Sequence, residues 1–196
     1  EEFLQAISVF CVTDSDGGVA LEPESPGGQL QGLFYLSEDD VQVAFKRLQA
    51  EREGVQKLEV RKLPLNDVYL PLVVGGKEAE LGGKLRLEPF AREVRNAAQI
   101  MGGSALGPPG EVPLFLCKDL VLEGRGPGAQ EYVPAFLREK DLTETLQKAG
   151  AKPEPGQVQV TSLQAVTTKL AAPDAGAAPG PRLRVVGSTE NIRDAQ

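Results

Sequence analysis

The sequence predicts an α+β fold: two pseudo-symmetric repeats of short strands and amphipathic helices forming one domain around a central sheet. Three observations carry the prediction. An apolar strand running into an amphipathic helix, Leu33-Phe-Tyr-Leu-Ser-Glu-Asp-Asp-Val-Gln-Val-Ala-Phe-Lys-Arg-Leu48, is echoed by Ala135-Phe-Leu-Arg-Glu-Lys-Asp-Leu-Thr-Glu-Thr-Leu-Gln-Lys-Ala149. The expected inward stripe is Val41, Ala44, Phe45 and Leu48 in the first copy and Leu142, Thr145, Leu146 and Ala149 in the second, the spacing of a helix lying on a core. The segments C-terminal to the two copies also match: Leu65, Val68 and Tyr69 return 98 residues later as Leu163, Val166 and Thr167, and Leu85, Leu87, Val94, Arg95 and Ala97 return at the same spacing as Leu183, Val185, Ile192, Arg193 and Ala195. Earlier matches lie farther apart, 105 residues for Val9-Phe10 and Leu114-Phe115 and 101 for Tyr35-Leu36 and Phe136-Leu137, so the first copy holds small extra loops. So long a period means a duplicated half-domain rather than a solenoid. Repeat one spans about 8–101, a loop covers 102–110, and repeat two spans about 111–196, all within a single domain 1–196.

In order along the first repeat, Glu1 to Ile7 is expected as a short helix and Ser8 to Thr13 as a strand. Asp14-Ser-Asp-Gly-Gly18 is its turn, because glycine and aspartate supply the backbone angles hairpins need. A calcium loop would require a glycine at loop position six and a glutamate at position twelve, and both are missing. Val19 to Glu22 and Leu30 to Leu36 read as strands around a loop at Glu24 to Gly28. Ser37 is a good N-cap, and Ser37-x-x-Asp40 resembles a capping box with carboxylates where the helix dipole favours them. Leu58 to Arg61 alternates as a half-buried strand, Leu63 to Leu70 forms a helical turn, Gly75 to Gly83 is loop and Leu85 to Leu87 a strand. Phe90 to Met101 is a helix with Phe90, Val94, Ala97, Ala98 and Met101 inward.

Gly102-Gly-Ser-Ala-Leu-Gly-Pro-Pro-Gly110 breaks regular structure between the repeats and lacks the Gly-Lys-Ser/Thr pattern of a phosphate cradle. Val112 to Cys117 and Leu120 to Glu123 are strands, Glu123 to Ala129 a turn, and Tyr132 to Leu137 the strand before the second helix. Ala171 to Pro181, rich in Ala, Pro and Gly, is expected as a flexible insertion.

Composition excludes several classes. A net charge of −7 with no basic cluster repels a nucleic-acid backbone. The longest membrane-span candidate, Val68 to Val74, is broken by Pro71 and falls short of the roughly 18 apolar residues required, so an integral membrane protein is not expected. A start at Glu1 without methionine suggests a processed or trimmed terminus. Histidine is absent, which removes Ser-His-Asp and Cys-His nucleophiles, His-based zinc sites and imidazole proton shuttles. Cys11 and Cys117 occupy corresponding strands one position out of register and are expected as buried, reduced thiols; a disulfide would need an oxidising compartment and close Cα atoms. Glu38-Asp-Asp40 serves the helix start rather than a metal or acid/base pair, and Arg95 and Arg193 share a structural role. No catalytic set, metal site or cofactor site assembles, so no enzyme is expected.

Five strings in fixed order, Ser8-Val-Phe-Cys-Val-Thr-Asp14, Gly32-Leu-Phe-Tyr-Leu-Ser-Glu-Asp-Asp-Val41, Leu63-Pro-Leu-Asn-Asp-Val-Tyr69, Gly110-Glu-Val-Pro-Leu-Phe-Leu116 and Tyr132-Val-Pro-Ala-Phe-Leu137, strongly resemble the Tic twenty-two (Tic22) family, from about Ile7 to Ala195. The resemblance implies a non-enzymatic protein of the chloroplast intermembrane space, peripheral to the inner envelope. Its implied partners are unfolded preproteins and envelope translocon subunits, without nucleic acid, and its implied function is a chaperone-like role in protein import. The alternative is a non-catalytic structural subunit of a plastid membrane complex. The chain departs from the family in its Ala/Gly/Pro-rich insertions and its cysteines. A protein without nucleotide motifs must hold clients passively, on apolar groove walls. The candidate client-binding residues are Phe34, Tyr35, Phe45, Tyr69, Phe115, Tyr132 and Phe136, with Tyr69 and Tyr132 expected to be the most accessible.

Overall fold

Strand pairing settles how the duplication is built. The computed structural model describes residues 7–24, 28–52, 57–69, 84–108, 110–124, 130–151, 156–171 and 182–187, within two compact units, Glu1–Phe90 and Ala91–Gln196. The helix expected at the N-terminus, the Gly75 to Gly83 loop, most of the Ala171 to Pro181 insertion and Arg193 lie outside the described residues. The first unit contains β1 (Ser8–Asp14), β2 (Leu21–Pro23), β3 (Leu30–Tyr35), α1 (Glu38–Glu51), β4 (Leu58–Pro64), α2 (Leu65–Val68) and β5 (Lys84–Glu88). The second contains α3 (Ala91–Ile100), β6 (Pro113–Cys117), β7 (Leu122–Glu123), β8 (Glu131–Phe136), α4 (Glu139–Lys148), β9 (Val158–Ser162), α5 (Leu163–Ala171) and β10 (Arg182–Val186). Among the described residues no helix is long and apolar enough to cross a membrane.

Among the described residues each unit forms one five-stranded sheet, and the two have the same order. In the first it runs β5-β3-β1-β4 with β2 also on β3; in the second, β10-β8-β6-β9 with β7 also on β8. The β3/β5 and β8/β10 pairs are parallel and the others antiparallel. The spacings read from sequence reappear as paired registers: Phe10 opposite Tyr35 answers Phe115 opposite Phe136, Val9 opposite Leu63 answers Leu114 opposite Thr161, and Gly32 opposite Leu85 answers Val133 opposite Leu183. Even single hydrogen bonds repeat: Leu65 N–H donates to Ile7 O at 2.7 Å, and Leu163 N–H to Val112 O at 2.9 Å. The sheet expected at the centre is therefore made twice, once per repeat. β1 and β6 read as continuous apolar runs because every interior position is buried.

Local chemistry sets the ends of these elements. Asp14 Oδ1 accepts the N–H groups of Asp16 (3.0 Å) and Gly18 (2.8 Å), closing the predicted turn. Ser37 Oγ accepts the Asp40 N–H at 3.2 Å and starts α1. Gly102 and Gly150 take positive φ after α3 and α4. In each case the next residue donates back over the last turn, Gly103 N–H to Ala98 O and Ala151 N–H to Leu146 O, the Schellman arrangement that satisfies carbonyls at a helix end.

α1 buries Val41, Ala44 and Leu48 with Phe45 half-buried, as its stripe requires. Two stripe expectations are corrected. In α4 the buried residues are Asp141, Leu142 and Leu146; Thr145 is half-buried and Ala149 exposed, since the helix has already ended there. In α3 the buried residues are Glu93 and Ala97, while Val94 is 40% exposed. The reason lies at the start of α4, where Arg138 holds the N-cap position and its side chain makes no capping bond. Glu93 supplies the missing acceptor: its Oε2 takes the Glu139 N–H at 3.1 Å and the Asn96 side-chain N–H at 3.3 Å. Glu93 and Val94 lie about 100° apart around the helix, so turning the first inward moves the second to the rim. No strand is expected from the sequence at β9, although its counterpart in the first repeat, β4, predicts it through the 98-residue spacing.

Candidate functional site

The sheet face under each helix carries a compact apolar cluster. Under α1 it contains Phe10, Val12, Ala20, Tyr35, Val41, Ala44, Leu48 and Leu58. Under α4 it contains Ala97, Phe115, Cys117, Leu120, Phe136, Leu142 and Leu146. Alternation along a strand places Gln31, Leu33 and Tyr35 of β3 on the first of these faces, and Tyr132, Pro134 and Phe136 of β8 on the second.

Five of the seven candidate aromatics are core residues: Phe34, Tyr35, Tyr69, Phe115 and Phe136 are all buried. Tyr69, expected near the surface, is 1% exposed, and that expectation of access is corrected. It caps the short α2 helix, where its N–H donates to Leu65 O, and the turn carries the ring inward with Leu65 and Val68. Phe45 and Tyr132 are half-buried and do reach the surface. The guanidinium of Arg184 lies over the Tyr132 ring, 5.1 Å from its centroid.

Repeat symmetry then separates the two faces. Beside α1 the positions at the end of the apolar cluster are polar: Glu22 lies opposite Gln31, and Glu88 opposite Tyr35. Glu22 pairs with Arg47 of α1, and Arg86 Nε donates to Glu88 Oε1 at 2.6 Å. Arg52 adds a hydrogen bond to Leu21 O at 2.6 Å. Burial pushes the Glu22 carboxyl above its ordinary range, with Arg47 opposing. It also pushes the Tyr35 hydroxyl from 10.0 up to about 12, helped by the Glu22 charge.

Beside α4 the three matching positions are apolar. Leu122 lies opposite Tyr132, and Val186 opposite Phe136, so Leu122, Tyr132 and Val186 stand where the first repeat has Glu22, Gln31 and Glu88. All three are only half-buried. Glu22, Gln31 and Glu88 are half-buried too, so the two repeats differ here in chemistry. One fills these positions with ion-paired and polar groups, the other with an apolar strip, Leu122 beside Tyr132 and Val186 four residues along β8, with an arginine stacked on its aromatic member. Such a strip suits side chains of a loosely structured polypeptide, because it offers area without demanding a fixed pattern of polar partners. Among the described residues no group of three or more acidic or cysteine side chains could hold a metal ion. Sequence reasoning named Tyr132 but missed Leu122, Val186 and Arg184; comparing strand registers between the repeats is the signal that finds them.

The cysteines lie on opposite faces of equivalent strands, as a one-position offset with a two-residue period requires. Both are buried free thiols. Burial pushes Cys11 from 9.0 up to about 11, with Arg61 opposing. At pH 8 only about one Cys11 in a thousand would then be thiolate, so alkylation of the folded protein should be slow and should accelerate on unfolding. The raised Cys11 and Tyr35 values favour the folded state while both groups are protonated. That contribution should be complete below about pH 9 and fall progressively between about pH 9 and 12 as the unfolded chain ionises first. Urea midpoints across that range, flat for Cys11→Ala with Tyr35→Phe, would check it.

The model of the Tic22-like family matches residues 1–176. Two curated proteins of Arabidopsis thaliana are similar to the chain. Protein TIC 22-like, chloroplastic, is 26% identical over 171 residues, covering 82% of this chain and 51% of its own length. Protein TIC 22, chloroplastic, is 24% identical over 169 residues, covering 85% and 59%. The chain therefore spans between half and three-fifths of the length of these relatives. Among solved structures, the Tic22 of Anabaena, described as a protein of protein transport, superposes with a TM-score of 0.71 at 20% identity, covering 99% of this chain and 93% of that one. Tic22 from Plasmodium falciparum gives 0.71 at 15% identity, covering 99% and 94%. At these identities the likeness of the solved structures is one of fold.

Proposed function

The chain belongs to the Tic22-like family, and on that premise we propose that it is a non-catalytic component of chloroplast protein import that binds unfolded preproteins in the intermembrane space, peripheral to the inner envelope. Its two repeats act as a single Tic22-like domain, and its partners are preproteins and envelope translocon subunits. The observation that carries client binding is the half-buried apolar strip Leu122, Tyr132 and Val186 beside α4, where the other repeat carries the ion pairs Glu22–Arg47 and Arg86–Glu88. Apolar surface of this kind gains about 25 cal/mol per Å² covered, and a passive holder needs no further chemistry.

The test is Tyr132→Asp. A carboxylate in the strip should reduce protection of an unfolded preprotein against aggregation at least about fivefold, the effect of roughly 1 kcal/mol of lost contact. The ring is partly exposed and outside the fully buried core, so the thermal midpoint should move little. Undiminished protection by a folded variant would contradict client binding at this strip. Salt-resistant retention in a membrane complex, with no protection by either form, would favour a fixed structural subunit instead.

A further inference from the structure

A sheet edge left unguarded in only one repeat supplies a second binding element. β4 and β9 are equivalent edge strands at the ends of their sheets. β4 is protected in the usual ways, with Glu59, Arg61 and Lys62 along an exposed strand and Pro64 at its end. At the matching positions, 98 residues later, stand Gln157, Gln159, Val160 and Ser162. Every charge and the proline have been replaced by neutral residues.

Strand geometry says which groups this exposes. Leu163 N–H donates to Val112 O, so the hydrogen-bonded pairs of the β6/β9 ladder continue at Leu114/Thr161 and Leu116/Gln159. The N–H and C=O groups of Val158 and Val160, both half-buried residues, therefore point to the outer edge, where no described strand pairs with them, while Ser162, the next of the outward set, is buried. The corresponding outward set in β4 includes Pro64, which has no N–H to offer. β9 keeps the outward N–H and C=O groups of Val158 and Val160 and places no charge beside them.

We propose that the outer edge of β9 binds an extended, acid-poor segment of an unfolded preprotein by strand addition, a claim that rests on the preprotein-binding reading above and gives it a mode and a place. Main-chain pairing supplies affinity independent of sequence, as a carrier of many clients requires. Charge selects the occupant. The chain carries a net charge of −7, and organelle-targeting segments are rich in arginine and poor in acids. A second copy would bring −7 against −7, which disfavours edge-to-edge pairing of two chains.

The test uses the full chain and two fluorescent synthetic peptides of alternating valine and serine with an arginine at each end, one with its alternate backbone nitrogens methylated. The unmethylated peptide should bind and the methylated one should bind at least about tenfold more weakly, the effect of losing one or two hydrogen bonds. Val160→Pro removes an outward N–H without touching the β6 ladder and should weaken the unmethylated peptide comparably; the methylated probe tests the same point on the unaltered chain. Equal binding of both peptides overturns the edge and leaves the preprotein reading standing. If neither peptide binds and unfolded preprotein is not held, both fall. A dimer that Val160→Pro dissociates would assign the edge to a second copy and overturn the proposal.

Discussion

Replacing Tyr69 by aspartate should unfold the first unit rather than trim a surface. Tyr69 is among the largest fully buried side chains and sits with Leu65 and Val68, which are 0% and 2% exposed. Removing a buried aromatic costs about 3–5 kcal/mol through lost transfer energy and the cavity left behind. Desolvating a carboxylate there adds several more unless it stays protonated. Against a typical total stability of about 5–15 kcal/mol, the sum leaves little folded protein at 37 °C. Circular dichroism with a urea titration would measure it, and Tyr132→Asp is the matched control because the same substitution there meets solvent. A Tyr69→Asp protein with an unchanged midpoint would mean that the ring is not in the core.

The second large effect is expected at Glu93. Glu93 is 5% exposed and its carboxylate accepts the first N–H of α4, whereas Ser37 Oγ accepts the third N–H of α1 from within its own repeat. Glu93→Ala should leave that N–H and the Asn96 amide without their shared acceptor and destabilise the second unit by about 1–3 kcal/mol. Loss of the interaction between the carboxylate and the helix N-terminus contributes to this cost. Arg138→Ser gives α4 the residue that caps α1 and, by serving a different N–H, should add about 1 kcal/mol with or without Glu93. Calorimetric midpoints of the single and double variants measure the two contributions separately. If Glu93→Ala leaves the midpoint unchanged, the carboxylate is not the cap.

Much of this architecture is legible in the residues, because duplication writes one fold twice. The recurrences of Val9-Phe10, Tyr35 and Leu85 are the registers of equivalent strand pairs, that of Leu65 marks the first residue of equivalent helices, and Ser37 announces its helix by capping chemistry alone. The failures have physical causes. α3 has an apolar stripe through Val94, and only the need of α4 for a cap, set by Arg138 far along the chain, turns Glu93 inward instead. Tyr69 carries a hydroxyl that makes it plausible at a surface, and its burial is decided by the short turn of α2. The strip beside α4 is hidden for another reason. Glu22 and Leu122 are 100 residues apart, whereas the strands they pair with are displaced by 101, so the exchange of polar for apolar residues emerges only when strands are aligned by pairing.

If the apolar strip is the client site, an unfolded preprotein lies on the face beside α4 and not on its charged counterpart beside α1. Photo-crosslinking separates the two faces, with a photoreactive amino acid replacing Tyr132 in one sample and Gln31, its partner in the other repeat, in a second, each mixed with the same labelled unfolded preprotein. Strong adduct formation is expected from position 132 and several-fold less from position 31, with excess unlabelled preprotein abolishing the first. Equal yields from the two positions, or adducts from 31 alone, would contradict client binding beside α4.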